Sequence, residues 1–456
     1  MTRAATIHLG LGPGYFDAVE AAKFPKHVLR YRNDRGARAV GLADLNDDAW
    51  IQHFGAFTPL PENLPQPLAL RYHGHQFRSY NPDIGDGRGF LFAQLRAEDG
   101  RVLDLGTKGS GLTPYSRRGD GRLTLKGGVR ELLATTMLEA FGVNTSKTFS
   151  LIETGEDLIR SDEPSPTRSS VLVRLSHSNI RIGTFQRLAY EQDGERIQKL
   201  VDHVLAHYFG GIAGGAPAML QETVRRVART GAQWMAAGFV HGVLNTDNIN
   251  ITGESFDYGP YRFLPTYDPN FTAAYFDQSG LYAYGRQPGT LIWNLQRLAE
   301  CLTLVAEKES LVEALQTFPQ IFETEMAAAV LARLNLAPRD AESDLALTGA
   351  VFEFLHATQM PFEQFVFDCQ GGKSRAGTDV YQSEAFAVVR DAFAPYTPAA
   401  PQRLAHPYFA QATPETLLID EIESLWAAIA ERDDWAPLYA KVKAIERAGQ
   451  AYGNMP

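Results

Sequence analysis

The sequence predicts an α+β protein with a strand-rich first part and a helical second part. Three observations carry that expectation. Short alternating apolar runs gather before residue 190, one amphipathic helix-like segment lies among them, and helical spacing dominates from about residue 195 onward. This order divides the chain into 1–190 and 191–456, with the helices after 310 as a C-terminal extension.

Residues 1–88 are rich in Pro, Gly and aromatic residues, and PLPENLPQPLAL (59–70) reads as an extended connector. GFLFAQLRA (89–97) and RVLDLGTK (101–108), separated by the turn EDG, read as a hairpin. Period-two alternation in its second strand puts Val102, Asp104, Gly106 and Lys108 on one face. The Gly/Arg-rich loop GLTPYSRRGDGRLT (111–124) leads into GGVRELLATTMLEAFG (127–142). There Val129, Leu132, Leu133, Thr136, Met137, Ala140 and Phe141 recur at i, i+3, i+4 spacing, so an amphipathic helix is expected, stopped by Gly142. TFSLIE (148–153) and SVLVRLS (170–176) read as further strands. Helices are expected at 195–209, 218–239, IWNLQRLAECLTLVA (292–306) and PETLLIDEIESLWAAIAERDD (414–434).

A chain of 456 residues with 45% hydrophobic and 21% charged content is ordinary for a soluble globular protein with a large core. Its net charge of −10 argues against a nucleic-acid backbone as the main partner, since that needs a basic surface. A local basic pocket for a small polyphosphate stays compatible with it. The two cysteines, Cys301 and Cys369, form no C-x-x-C and no disulfide framework. No apolar run reaches the ~18 residues of a membrane span, and the N-terminus has no signal-like apolar core. The expected compartment is the cytoplasm.

The chemistry gathers around HGVLNTDN (241–248). It has the form of the kinase catalytic loop H-[RG]-D-x-x-x-x-N, with Val243 where the proton-accepting aspartate belongs. Asn248 is followed nine residues later by Asp257, in Asp257-Tyr258-Gly259, which has the form of D-F-G. Such an Asn and Asp hold the metal that bridges nucleotide phosphates, and hard oxygen ligands suit Mg²⁺. INITGESF (249–256), between them, reads as a short hairpin. Lys108 ends a strand, as a phosphate-binding lysine does, and Glu131 lies early in the following helix, where its carboxylate partner belongs. Gly-Asp-Gly-Arg occurs at 85–88 and at 119–122. Glycine lets backbone N–H groups approach phosphates and Arg adds a charged fork; each copy alone also reads as a tight turn. Arg174 and Arg181, in VLVRLSHSNIRIG, can clamp phosphates bidentately or make surface ion pairs. His73 and His75 have no third ligand nearby and read as packing or hydrogen-bonding residues.

Together these segments resemble the selenoprotein O family, protein AMPylases with an atypical, two-lobed protein-kinase-like fold. The resemblance rests on FPKHVLRYRND, YHGHQF, GDGRGFLFAQL, DLGTKGSGLTPYSRRGDGR, VRELLATTMLEAFGV, VRLSHSNIRIGTFQ, HGVLNTDNINITGESFDYGPYRFL and GRQPGTLIWNLQRLAE, over most of residues 24–300. It implies a strand-rich N-lobe, a helical C-lobe and transfer of AMP from ATP, bound in a flipped orientation, to Ser, Thr or Tyr hydroxyls of proteins. By motif, it implies that Gly85, Gly87, Arg88, Lys108, Asp120, Gly121, Arg174 and Arg181 contact the nucleotide. Glu131 pairs with Lys108, Asn248 and Asp257 bind Mg²⁺ or Mn²⁺, and Asp247 accepts the proton. The chain departs from the family pattern at Arg78, Asn81, Asp83 and Lys126-Gly127-Gly128, and it lacks a terminal Cys or selenocysteine. UTP is an alternative donor, since the phosphate motifs do not read the base. A phosphotransferase is a rival reading that Val243 opposes. A non-catalytic nucleotide-binding scaffold is a second rival, opposed by the joint presence of Lys108, Glu131, Asn248 and Asp257.

Overall fold

The structure, a computed structural model, describes residues 3–161 and 163–456. Most strands of the first part form one antiparallel sheet, while Gly74–Gln76 and Ser79–Asn81 pair separately as a hairpin. The order of the large sheet is Phe16–Ala18, Leu68–Leu70, Leu91–Arg96, Val102–Lys108, Thr167–Ser176, Lys147–Leu158, Val28–Arg32. The short strands Ala4–Ala5 and Leu123–Thr124 pair beside this path. The expected connector 59–70 therefore ends as a sheet strand.

The central strands are buried almost throughout because both faces of the sheet are covered. Leu103, Leu105, Val171 and Val173 pack with Trp50, Phe54, Phe90 and Phe149 on one side. Leu151 and Leu172 pack on the other side with Val129, Leu132 and Leu133 of the helix Leu125–Ala140. Lys108 is paired across strands with Leu172, and Gly106 with Arg174, so Lys108 and Arg174 share that second face as diagonal neighbours.

The helix begins two residues before the expected segment 127–142 because Thr124 caps it, its hydroxyl accepting from the Gly127 N–H at 3.1 Å. It ends at Ala140, and Gly142 follows with φ +80°, the left-handed turn that stops it. The C-terminal helix Ala436–Tyr452 lies against it: Val442, Ile445 and Ala448 share a core with Leu133, Met137 and Ala140. Just beyond it, the Asn454 amide donates to the Ala140 carbonyl at 3.0 Å.

Helices dominate the second part, as expected, with different ends. The helix expected at 218–239 is Gly215–Ala236, because the chain turns at Gly238 (φ +61°) into the strand Phe239–Val240. That strand pairs with Arg262–Phe263. Of 414–434 only Ile419–Arg432 is helical. The segment 249–256 is not a hairpin. Asn250 bridges to Arg181 and Ser255 to Thr145, so its partners come from the first part of the chain. Among the described residues no helix is long and apolar enough to cross a membrane.

Candidate active site

A cleft of about 690 Å³ lies where the sheet face meets the 241–257 segment. Eight Arg or Lys side chains and four aspartates line it, a local excess of positive charge in a chain of net charge −10. At its floor the Lys108 ammonium donates to Glu131 Oε1 at 2.5 Å and to Asp257 Oδ1 at 2.7 Å. Arg174 Nη2 reaches the same Asp257 oxygen at 3.2 Å and Glu131 Oε1 at 3.5 Å. Arg181 Nη1 stands 3.7 Å from Asp257 Oδ2 and donates to the Asp247 carbonyl at 2.8 Å. Lys108, Arg181 and Asp257 thus converge, and with them Glu131, Arg174 and Asp247.

Local backbone explains the placement. Arg181 precedes the helix Ile182–Tyr190, which fixes its exit angle from the strand that carries Arg174. His241 is fully buried; its ring nitrogen contacts the Phe256 carbonyl at 3.1 Å, next to Asp257. Asp257 itself has φ +65°, a left-handed conformation that Asp tolerates better than most residues. The YHGHQF segment docks on the 241–248 loop. The His75 N–H donates to Thr246 Oγ1 at 2.7 Å and the Phe77 N–H to Asn245 Oδ1 at 3.1 Å. His73 and His75 are engaged by Tyr80 and Gln186, as the packing reading expects.

The electrostatics separates the two acids. Burial pushes Asp257 up, but the Lys108, Arg174 and Arg181 charges outweigh it and hold the carboxyl well below its usual range. Asp247 is also buried and its pKa rises to about 6, with Arg181 only partly opposing the loss of solvent. Four buried polar atoms of this site, Glu131 Oε2, Arg174 Nε, Arg181 Nε and Asp247 Oδ1, have no hydrogen-bond partner among the described residues. Buried orphans are rare, and their concentration here marks a place built to meet a ligand.

The match to known proteins settles the family. Residues 4–446 match the family model described as protein adenylyltransferase SelO. The chain belongs to the SelO family. A protein nucleotidyltransferase YdiU from Synechocystis sp. is 44% identical over 96% of both chains. Its namesake from Trichormus variabilis is 43% identical over 96% of this chain and 94% of its own. The one from Gloeobacter violaceus is 44% identical over 96% and 93%. This SelO-family chain is therefore an enzyme, a protein nucleotidyltransferase.

Other expected residues of the SelO-family site lie farther out. Gly85, Gly87, Arg88, Asp120 and Gly121 line the cleft. A Cβ at Gly85 would lie 2.5 Å from the Tyr115 ring, and one at Gly121 2.3 Å from the Gly111 backbone. Loop-on-loop packing thus requires these glycines whatever binds. Asp120 pairs with Arg160 at 2.8 Å. Asn248 is not among the residues lining the cleft; its amide nitrogen donates to the Val243 carbonyl at 2.9 Å. Among the described residues no group of three or more His, Cys, Asp or Glu is arranged to hold a metal. Sequence reasoning missed Asp86, whose carboxylate faces Arg181 at 3.4 Å and accepts from the Leu70 N–H. It also missed Tyr72, whose ring lies 4.6 Å from the Arg181 guanidinium. Asp86 stands in the quoted first GDGR and Tyr72 opens the quoted YHGHQF, so both signals were there. A larger depression of about 1000 Å³, lined by Lys147, His177 and Arg226 among others, shares no lining residue with the cleft and holds none of these residues.

Proposed function

We propose that the cleft transfers AMP from ATP to Ser, Thr or Tyr hydroxyls of proteins, with the triphosphate lying tail-first against Lys108, Arg174 and Arg181. Family membership implies ATP as adenylyl donor and a protein as acceptor. The carrying observation is the set of orphaned polar atoms, two of them guanidinium nitrogens, in a cleft with twice as many cations as acids. A polyphosphate supplies the acceptors those guanidinium groups lack. Lining residues come from both parts of the chain, Lys108 and Arg174 from one, Asp247 and Asp257 from the other, as in a two-lobed kinase-like fold. That division supports a domain boundary near 190.

The acceptor oxygen attacks the α-phosphorus, the bond to the β-phosphate oxygen breaks, and pyrophosphate leaves. Charge then grows on the departing pyrophosphate, where Arg174 and Arg181 stabilise it. The hydroxyl proton passes to the Asp247 carboxylate. Its pKa of about 6 suits a general base near neutral pH. Val243 leaves the usual base position empty because the attacked phosphorus has moved from γ to α.

Asp257 fits a divalent cation: it is held ionised, Oδ1 takes Lys108 and Arg174, and among the described residues Oδ2 has only the Arg181 contact at 3.7 Å. Asn248, which does not line the cleft, would have to turn its amide oxygen toward it, its nitrogen being committed to Val243. Mg²⁺ or Mn²⁺ there would neutralise phosphate charge. The test uses ATP labelled on the α or γ phosphate, with Mn²⁺. Label should enter protein only from α, and Asp247→Asn should lower transfer by about 10²–10⁴-fold with ATP affinity unchanged. Label from γ alone, or an Asp247→Asn enzyme of full activity, overturns the assignment.

A further inference from the structure

Phe77, Tyr275 and Phe276 are exposed, the second of them 84%, although each is large and apolar or aromatic. They are not scattered. Phe276 lies 5.8 Å from Phe77 and 5.2 Å from Tyr275, ring centre to ring centre. Phe77 in turn lies 4.9 Å from Tyr282. A cluster of this kind on a surface marks a contact site.

Two features show that it is built rather than incidental. Phe77 and Arg78 form the two-residue turn between the strands Gly74–Gln76 and Ser79–Asn81, with φ +49° and +63°. Such turns favour Asn and Gly; a Phe held there is strained, and strain of that sort collects at functional sites. Tyr275 and Phe276 cap a tight turn, Ala274 to Asp277, closed by the Asp277 N–H on the Ala274 carbonyl at 3.0 Å. The buried Asp277 carboxylate accepts from the Leu281 and Tyr282 N–H groups, both at 2.8 Å, and holds the loop rigid.

The cluster adjoins the reacting group. Both the Phe77 N–H and the Tyr282 hydroxyl donate to Asn245 Oδ1, and Asn245 is two residues from Asp247. Any acceptor polypeptide must bring its hydroxyl to Asp247. An extended chain advances about 3.4 Å per residue, so side chains a few positions from the hydroxyl fall on these rings.

We propose that Phe77, Tyr275 and Phe276 form a docking platform for an extended segment of the protein substrate, and select acceptors that carry a large apolar side chain two to five residues from the modified hydroxyl. This rests on the adenylyltransferase reading of the cleft and names the substrate class it takes. The alternative occupant, a second copy of this chain, becomes an outcome of the test.

The probes are synthetic peptides with one Tyr acceptor and either Phe or Ser placed at each position two to five residues away. They are assayed with α-labelled ATP and Mn²⁺ against the wild-type enzyme and Tyr275→Ser/Phe276→Ser. Both residues lie outside the nucleotide cleft, and ATP affinity is measured alongside. The wild type should show a KM about tenfold lower for the best Phe peptide than for its Ser counterpart, more than most interface side chains contribute. The double variant should lose that preference and keep its ATP affinity. Equal KM values in the wild type, an undiminished preference in the variant, or unlabelled peptides beside a self-labelling enzyme would each overturn the proposal. So would a wild type that is dimeric by sedimentation when the variant is monomeric, since the rings would then serve self-association. Absence of α label from peptides and enzyme alike would instead strike at the group-transfer reading beneath it.

Discussion

Removing the Lys108 ammonium, as Lys108→Met, should destabilise the protein before any substrate is considered. The pair with Glu131 is 2.5 Å long, with side chains only 9% and 1% exposed. Stranding one charge of such a pair costs about 3–5 kcal/mol. Arg174 stays 3.5 Å from Glu131, which favours the lower end, so about 3 kcal/mol is expected. Asp257 keeps Arg174 and Arg181 and adds little. Adding Glu131→Gln removes the stranded charge, and the double variant should recover to within about 1 kcal/mol of wild type, because neutral replacement of a buried pair is often nearly free. Urea unfolding followed by tryptophan fluorescence gives the four corners of the cycle. A coupling energy below about 0.5 kcal/mol, the scale of an exposed pair, would refute the claim that this pair is a buried structural unit. A double variant that is stable but no longer binds ATP would separate its two roles.

Two further outcomes follow from named contacts. A Cβ at Gly74 would lie 3.0 Å from Asp247 Oδ1 and 3.1 Å from Ile84 Cδ1, so Gly74→Ala should displace the proposed base. A displacement near 1 Å costs up to about 10²-fold; kcat for AMP transfer should fall tenfold or more while calorimetry finds ATP affinity unchanged. Glu254 is buried and its pKa is pushed up to about 7 from the usual 4.5. Because the folded form binds the proton more tightly than the unfolded chain, stability is lost as pH rises through that window, and the full penalty stands above it. Glu254→Gln should therefore stabilise the protein at pH 8 by up to about 3 kcal/mol and change little at pH 4.5, read from urea midpoints. An equal gain at both pH values would rule out ionisation as the cause.

Much of the site was legible because its signals are local. Lys108 closes an alternating strand and Glu131 sits in the next helix, so order along the chain already suggested the pair. Asn248 and Asp257 were legible through motif spacing, although only Asp257 lines the cleft. Less local facts were not legible. The backbone of YHGHQF lies against Thr246, 171 residues from His75, and no spacing rule reaches that far. The 249–256 segment alternates like a hairpin, but its backbone hydrogen bonds go to Ile180, Ile182, Asn144 and Ser146, either side of Arg181 and Thr145. Alternation reports extended backbone with two unlike faces; it does not say which strand lies alongside. Gly85 and Gly121 were read as phosphate-approach glycines, whereas the space they leave is first of all that of Tyr115 and Gly111.

The brace behind the Glu131 helix has a regulatory meaning. That helix is held by the sheet on one side and by Ala436–Tyr452 on the other, with Gly449 so close that a Cβ there would be 3.2 Å from the Ala140 Cα. Swinging the Glu131 carboxylate outward as an on–off lever would have to break this packing against Ala436–Tyr452.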